Sequence, residues 1–143
     1  MRDIQMLSVK EYMRNFHLVT GVLFLIIFAL TGQHMNSILP PFSGELDAQR
    51  MIYRASHIYI LMASLINLLV GIYYQPFEHK LHKILQHLGS SFLLIAQPVI
   101  LAAFIFEPSM NLVDRPYTLV GCWLLLVGSI TKLAIPCHLR LTR

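Results

Sequence analysis

Charged side chains are scarce in this sequence of 143 residues, where Asp, Glu, Lys and Arg together make up 13% and hydrophobic residues 56%. A soluble domain carries about twice that charged fraction, roughly 25%. The few charges leave four uncharged intervals, at residues 15–44, 55–77, 84–106 and 116–131. Because about 20 apolar residues suffice to cross the hydrocarbon core of a bilayer, this scarcity excludes a soluble fold and predicts four transmembrane helices.

The fourth interval is the shortest, but Lys132 at its end can extend its ammonium along an apolar stem toward the lipid headgroups. We therefore predict helices at about 14–35, 51–74, 83–106 and 116–135. The short loops between them favour an all-α, up-down-up-down four-helix bundle that forms a single transmembrane domain over residues 1–143. The first apolar run is too long for a cleaved signal peptide, so we expect helix 1 to be retained.

Cysteine is also rare, which excludes a fold held together by disulfides. The sequence contains only Cys122 and Cys137, and on one continuous helix they would lie about 22 Å apart. Neither cysteine has the CxxC spacing of a redox or zinc motif. We interpret both as packing residues or unreactive thiols.

The basic residues indicate how the helices are oriented. If the N-terminus, the 75–83 loop and the C-terminus share one side of the membrane, that side holds eight of the eleven Lys and Arg residues. By the positive-inside rule, both termini are then cytoplasmic, in what we expect to be a bacterial inner membrane. The net charge of +4 then reflects topology and contact with the anionic lipid bilayer rather than binding of nucleic acid.

Acidic residues are absent from all four predicted spans, and no serine or cysteine has a histidine placed by sequence to activate it. An enzyme needs an acid, a base or a nucleophile in a site shielded from water, and a small proton-coupled transporter is expected to carry an embedded carboxylate. We therefore expect a protein without its own catalytic site. Its predicted role is that of an accessory or assembly subunit that packs against partner membrane helices or against a second copy.

Small and polar residues within the spans predict where the helices pack, because lipid gives apolar helices no hydrophobic reason to associate. Gly121 and Gly128 are seven residues apart and lie on nearly the same face of helix 4, which is our candidate packing seam. Asn67 and Gln97 lie nearest the bilayer centre and should form interhelical hydrogen bonds, with the lining of a ligand or ion path as the alternative. Pro98 should kink helix 3 near its middle.

Four of the seven histidines fall into two pairs at matched depths. His17 and His87 lie about one turn inside the cytoplasmic ends of helices 1 and 3, whereas His34 and His57 lie near the opposite face. The two pairs are separated along helix 1 by about 25 Å. Two imidazoles that face each other at one depth can ligate a haem iron. The alternative for each pair is a solvated or hydrogen-bonded histidine at the membrane interface.

A further histidine pair lies in the loop segment EHKLHK, where His79 and His82 are three residues apart. On a helix they could share a face and bind a metal ion weakly. Because lysines alternate with the histidines, we assign no metal site here and interpret the segment as a basic rim facing anionic lipid.

The segment RNFHLVTGVLFLIIFALTG, residues 14–32, resembles the first helix of bacterial four-helix membrane b-type cytochromes. His87 and Pro98, eleven residues apart, are similar to that family's third helix, and SHIYILMASLINLL, residues 56–69, is similar to its second. The resemblance implies haem b, quinol-linked electron transfer, and ligand positions at His17, His57 and His87. The fourth helix departs from the family because it lacks the histidine ligands. A b-type cytochrome is therefore the alternative to the accessory subunit.

Overall fold

Four helices make up the described part of the chain in the computed structural model, which covers residues 2–38, 47–75, 79–109 and 114–141. They are α1 (Arg2–Ile38), α2 (Asp47–Ile72), α3 (Lys80–Ser109) and α4 (Pro116–Leu141). No strand occurs in these ranges. Segments long and apolar enough to span a membrane lie at Glu11–Ser37, Gln49–Ile72, Lys80–Pro108 and Pro116–Ala134. The prediction of an all-α fold with four candidate membrane spans is confirmed, and it indicates a multi-pass membrane protein.

All four helices extend beyond at least one of their predicted ends, since the second also begins early, at Asp47 rather than near residue 51. The first begins at Arg2 rather than near residue 14, the third continues through Pro108, and the fourth runs past Pro136 to Leu141. The sequence prediction placed helix ends at charged residues, which mark where hydrocarbon meets water. A helix satisfies its own backbone hydrogen bonds, so it has no need to end at that boundary.

The helices pack in chain order, with α1 against α2, α2 against α3, and α3 against α4. The contacts of α1 with α3 and of α2 with α4 are slight. Within the described ranges, no Cα atom of α1 comes within 8 Å of a Cα atom of α4. The bundle is therefore open on the side between its first and last helices.

Glycines allow close approach at two of these helix pairs. Gly21 faces Leu68 between α1 and α2, where an added Cβ would lie 2.7 Å from the leucine Cγ. Gly128 faces Leu93 between α4 and α3, where the corresponding distance is 2.8 Å. Any side chain at these glycines would force the helices apart, and in lipid such close packing is a main source of helix association.

The buried apolar core lies along α2 and α3. Several of its members are completely or almost completely inaccessible, namely Ile60, Ala63, Leu93, Ala96 and Ile100. Large apolar side chains on the outer faces of all four helices are exposed, with Trp123 at 59% as one example. Such a distribution suits a protein whose outer surface is covered by lipid rather than by water.

Candidate functional site

A buried histidine on α1 is the centre of a polar cluster that we call the histidine cluster; its members are His17, Asn67, Tyr74 and Lys132. The Nδ1 atom of His17 lies 2.7 Å from Oδ1 of Asn67 on α2. Because an amide oxygen only accepts hydrogen bonds, His17 Nδ1 carries the proton and donates it. The amide nitrogen of Asn67 donates to the backbone oxygens of Ala63 at 3.0 Å and of Leu93 at 3.3 Å. Asn67 thus joins α1, α2 and α3.

The same tautomer makes Nε2 of His17 a hydrogen-bond acceptor. This atom is buried and has no hydrogen-bond partner among the described residues. Because Asn67 fixes both the tautomer and the orientation of the ring, Nε2 has the protonation state that a metal or haem ligand requires. His17 is therefore the residue in this cluster best suited to hold a cofactor.

Lys132 on α4 completes the histidine cluster. Its Nζ atom lies 5.0 Å from the ring centroid of Tyr74, and the ring of Tyr74 lies 6.4 Å from that of His17. The ammonium is buried and has no hydrogen-bond partner in the described part of the protein. The ammonium lies over the face of Tyr74, where the ring electrons attract a cation, and the extension of Lys132 toward the headgroups stays a prediction.

A second polar cluster, which we call the glutamate cluster, contains Ser56, Glu107, Arg115 and Thr118. Glu107 is completely buried, and its carboxylate accepts hydrogen bonds from the backbone nitrogen of Thr118 at 2.7 Å, from Thr118 Oγ1 at 2.6 Å and from Arg115 Nε at 3.2 Å. Thr118 is the third residue of α4, so the carboxylate caps the positive end of that helix.

Arg115 connects this cluster to α2. It immediately precedes α4 and has φ of 46°, in the left-handed region that few residues other than glycine adopt. Its Nη2 donates to Ser56 Oγ on α2 at 2.9 Å and to Thr118 Oγ1 at 3.1 Å. The glutamate cluster therefore joins α2, α3 and α4 at the opposite end of α2 from the histidine cluster.

Glu107 was not among the candidate residues predicted from the sequence. The predicted helix 83–106 ends before this residue, whereas the structure places it in the last turn of α3 and within the candidate span Lys80–Pro108. The expectation that no acidic residue lies within a span is therefore wrong at this position. A signal was present in the sequence, because Glu107-Pro108 and Arg115-Pro116 place opposite charges on either side of one short connection.

His57 lies between α1 and α2. Its Nδ1 is 3.0 Å from Thr31 Oγ1, and because that hydroxyl donates to Phe28 O at 2.9 Å, it accepts from the histidine. The imidazole stacks on the Phe28 ring with centroids 4.0 Å apart. A Cβ at Gly32 would lie 3.4 Å from Nε2 of His57. One edge of the His57 ring thus lies beside Gly32 of α1.

The remaining histidines with described side chains lie nearer the surface. His34, predicted to pair with His57, is exposed on α1. His87, predicted to pair with His17, is only partly buried, and its Nδ1 donates to Lys83 O of its own helix at 2.7 Å. The rings of His79 and His82 lie 5.7 Å apart. The described side chains include no group of three or more His, Cys, Asp or Glu residues that could hold a metal ion.

The residues predicted to mediate packing occupy different environments. Gly121 faces Ile100 of α3, and Gly128 faces Leu93 of the same helix. Both glycines therefore lie on the face of α4 that contacts α3. Gln97 is 1% exposed, and its Nε2 has no hydrogen-bond partner among the described residues. Pro98 lies within α3 but is exposed, so its ring points away from the neighbouring helices.

Comparison of the chain with protein-family models, with curated proteins and with solved structures found no match. The functional assignment therefore depends on the two polar clusters and on the surfaces around them.

Proposed function

We propose that the chain is an accessory subunit of a membrane complex, without a catalytic site of its own, that binds partner helices on the open side between α1 and α4. The missing contact between these two helices is the observation that carries the proposal. Both expose large apolar side chains at alternating spacings of three and four residues. On α1 these are Val19, Leu23, Ile26 and Leu30, and on α4 they are Leu119, Trp123, Leu126 and Ile130.

The two polar clusters support this role because they connect the helices into one unit. Asn67 links the first three helices, and Arg115 and Glu107 link the last three. Ser64 adds a hydrogen bond of 2.7 Å from α2 to the backbone oxygen of Gly21 on α1. A preformed unit loses little conformational freedom when a partner binds, which favours docking.

We further propose an up-down-up-down topology in a bacterial inner membrane, with both termini cytoplasmic. The order of contacts supports it: His17 meets Asn67, whereas the later residue Thr31 meets the earlier residue His57. The distribution of basic residues supports the orientation. In this orientation the histidine cluster lies on the cytoplasmic side and the glutamate cluster on the outer side.

Photo-crosslinking in intact cells tests the docking proposal. A photoreactive amino acid would replace Ile26 on α1 or Ile130 on α4, and the control would carry it at Leu65 on α2, which is also exposed in the described structure. We expect adducts of one defined mass from the first two positions and not from Leu65, together with a stoichiometric partner after purification in mild detergent. The mass distinguishes another subunit from a second copy. A monomer that gives no adduct at Ile26 or Ile130 would refute the proposal.

A b-type cytochrome that passes electrons between quinone and a partner is the second candidate, and the free, buried Nε2 of His17 is the observation that favours it. His17 has the tautomer that an axial haem ligand needs, and a haem would supply one-electron transfer, but the residue is 0% exposed, so neighbouring side chains would have to move for a porphyrin to reach its Nε2. His57 does not fit, because its ring lies against Phe28 and its Nε2 faces α1 at Gly32. The second ligand would then be His87, the predicted partner of His17, whose Nδ1 donates to Lys83 O and leaves Nε2 as an acceptor.

The absorbance spectrum of the detergent-purified protein decides between the candidates. Under the cytochrome proposal, the preparation shows a Soret band that shifts on reduction with dithionite, and His17→Ala removes it. His57→Ala serves as the matched control and should leave the band in place, because His57 does not fit a ligand position. A colourless wild-type preparation would dismiss the cytochrome.

A further inference from the structure

A cavity of about 410 Å³ lies beside the end of α2, the first turns of α3 and the part of α4 around Lys132. Leu69, Val70 and Leu133 line it with apolar side chains, and its other lining residues are Tyr73, Tyr74, Gln75, Gln86 and Lys132. This volume and this mixture of a mostly apolar wall with a few polar groups are typical of small-molecule sites. The lining residues in the described part of the chain belong to α2, α3, α4 and the connection after α2.

Two polar side chains along the cavity differ in their hydrogen bonding. Gln86 Nε2 donates to the backbone oxygen of Gln75 at 2.7 Å. Lys132 Nζ, by contrast, is buried and has no hydrogen-bond partner within the described ranges. The ring face of Tyr74 attracts the ammonium electrostatically. It does not accept a hydrogen bond from any of the three N–H groups in the way that an oxygen atom would. The described residues thus supply no oxygen acceptor for this ammonium.

The position of the cavity along the helices indicates where such an oxygen would come from. Lys132 lies two residues before the end of the candidate span Pro116–Ala134, and Tyr74 lies two residues beyond the span that ends at Ile72. Both residues are thus at the boundary between hydrocarbon and headgroups, where the phosphates of membrane lipids lie. Leu69 and Val70 lie deeper in the α2 span, at the depth of the acyl chains.

We propose that this cavity binds one anionic phospholipid, for which Lys132 turns its Nζ from the Tyr74 ring into the cavity and donates hydrogen bonds to a phosphate oxygen, while the acyl chain lies along Leu69 and Val70. Basic pockets between transmembrane helices recognise lipid headgroups through the same combination of charge and depth. A free phosphate ion would meet the same ammonium but would gain nothing from the apolar wall. The site therefore selects the lipid over the ion.

Native mass spectrometry of the detergent-purified full chain tests the proposal with phosphatidylglycerol, phosphatidylcholine or inorganic phosphate as the probe. Lys132→Gln removes the charge from the cavity. Lys83→Gln removes the same charge from an exposed position on α3 and is the matched control. We expect the wild type and Lys83→Gln to retain one phosphatidylglycerol, and Lys132→Gln to bind it at least about tenfold more weakly, as expected for the loss of one hydrogen bond to a charged group.

A second variant, Leu69→Trp, fills the cavity while keeping Lys132, and it should also lose the bound lipid. It keeps the proposal falsifiable if Lys132→Gln does not fold. Equal retention of phosphatidylglycerol by the wild type and both cavity variants would overturn the proposal. Displacement of the lipid by inorganic phosphate, or equal retention of phosphatidylcholine, would overturn the assignment to an anionic lipid.

Discussion

Replacing Glu107 by alanine tests whether the glutamate cluster stabilises the fold. The substitution removes the acceptor for the hydrogen bonds from Thr118 N, Thr118 Oγ1 and Arg115 Nε. It leaves the guanidinium of Arg115, whose side chain is 25% exposed, without its carboxylate. Removing one partner of a buried ion pair costs about 3–5 kcal/mol. Because water reaches part of Arg115, we expect a loss near the lower end, about 3 kcal/mol.

Reversible unfolding in mixed micelles, titrated with dodecyl sulfate and followed by circular dichroism, measures this free energy. Glu107→Gln keeps the side-chain volume and an oxygen that can accept from Thr118 N, so its expected cost is smaller, about 1–2 kcal/mol. Asp114→Asn removes an exposed carboxylate from the same connection and should change stability by less than about 0.5 kcal/mol. If Glu107→Ala is no more destabilising than Asp114→Asn, the proposed role of the buried carboxylate is wrong.

Two further predictions use the same unfolding assay. Gly128→Ala should destabilise by about 1–3 kcal/mol, because the added Cβ would lie 3.0 Å from the backbone oxygen of Gly89, which cannot move without its helix. Gly32→Ala should cost less, since its nearest contact, at 3.2 Å, is a side-chain ring; the reverse order would contradict the packing argument. Asn67→Leu should cost about 1–3 kcal/mol through the loss of its hydrogen bonds. Ser64→Ala, which removes a single one, should cost roughly 0.6 kcal/mol, and equal losses for the two variants would refute the linking role of Asn67.

The sequence predicted those structural features that depend on a single property of the residues, such as their charge or size. The scarcity of charge alone predicts four spans, because an apolar run long enough to cross a bilayer is typical of a transmembrane helix. Glycines and a central asparagine are natural candidates for helix contacts, since lipid offers no hydrophobic drive for association. Gly128 and Asn67 occupy such contacts in the structure.

The sequence did not predict the surroundings of side chains whose neighbours in space lie far away along the chain or on another helix. From the sequence alone, Glu107 looks like a solvent-exposed charge. In the structure, Arg115 and Thr118 at the start of α4 donate hydrogen bonds to its carboxylate. Depth along a helix can be estimated from flanking charges, but depth does not tell which neighbouring helix a side chain meets. His34 thus shares its predicted depth with His57 yet is exposed on α1, whereas His57 bonds to Thr31.

The dependence of Glu107 on Arg115 and Thr118 also bears on how the chain is made. When α3 has left the ribosome and α4 has not, the carboxylate of Glu107 has none of the donors that later surround it. Transfer of an unpaired carboxylate from water into the bilayer costs free energy. Those donors are translated only eight and eleven residues later. We expect the insertion machinery to release α3 and α4 into the bilayer together, as a hairpin whose closing contact is this carboxylate.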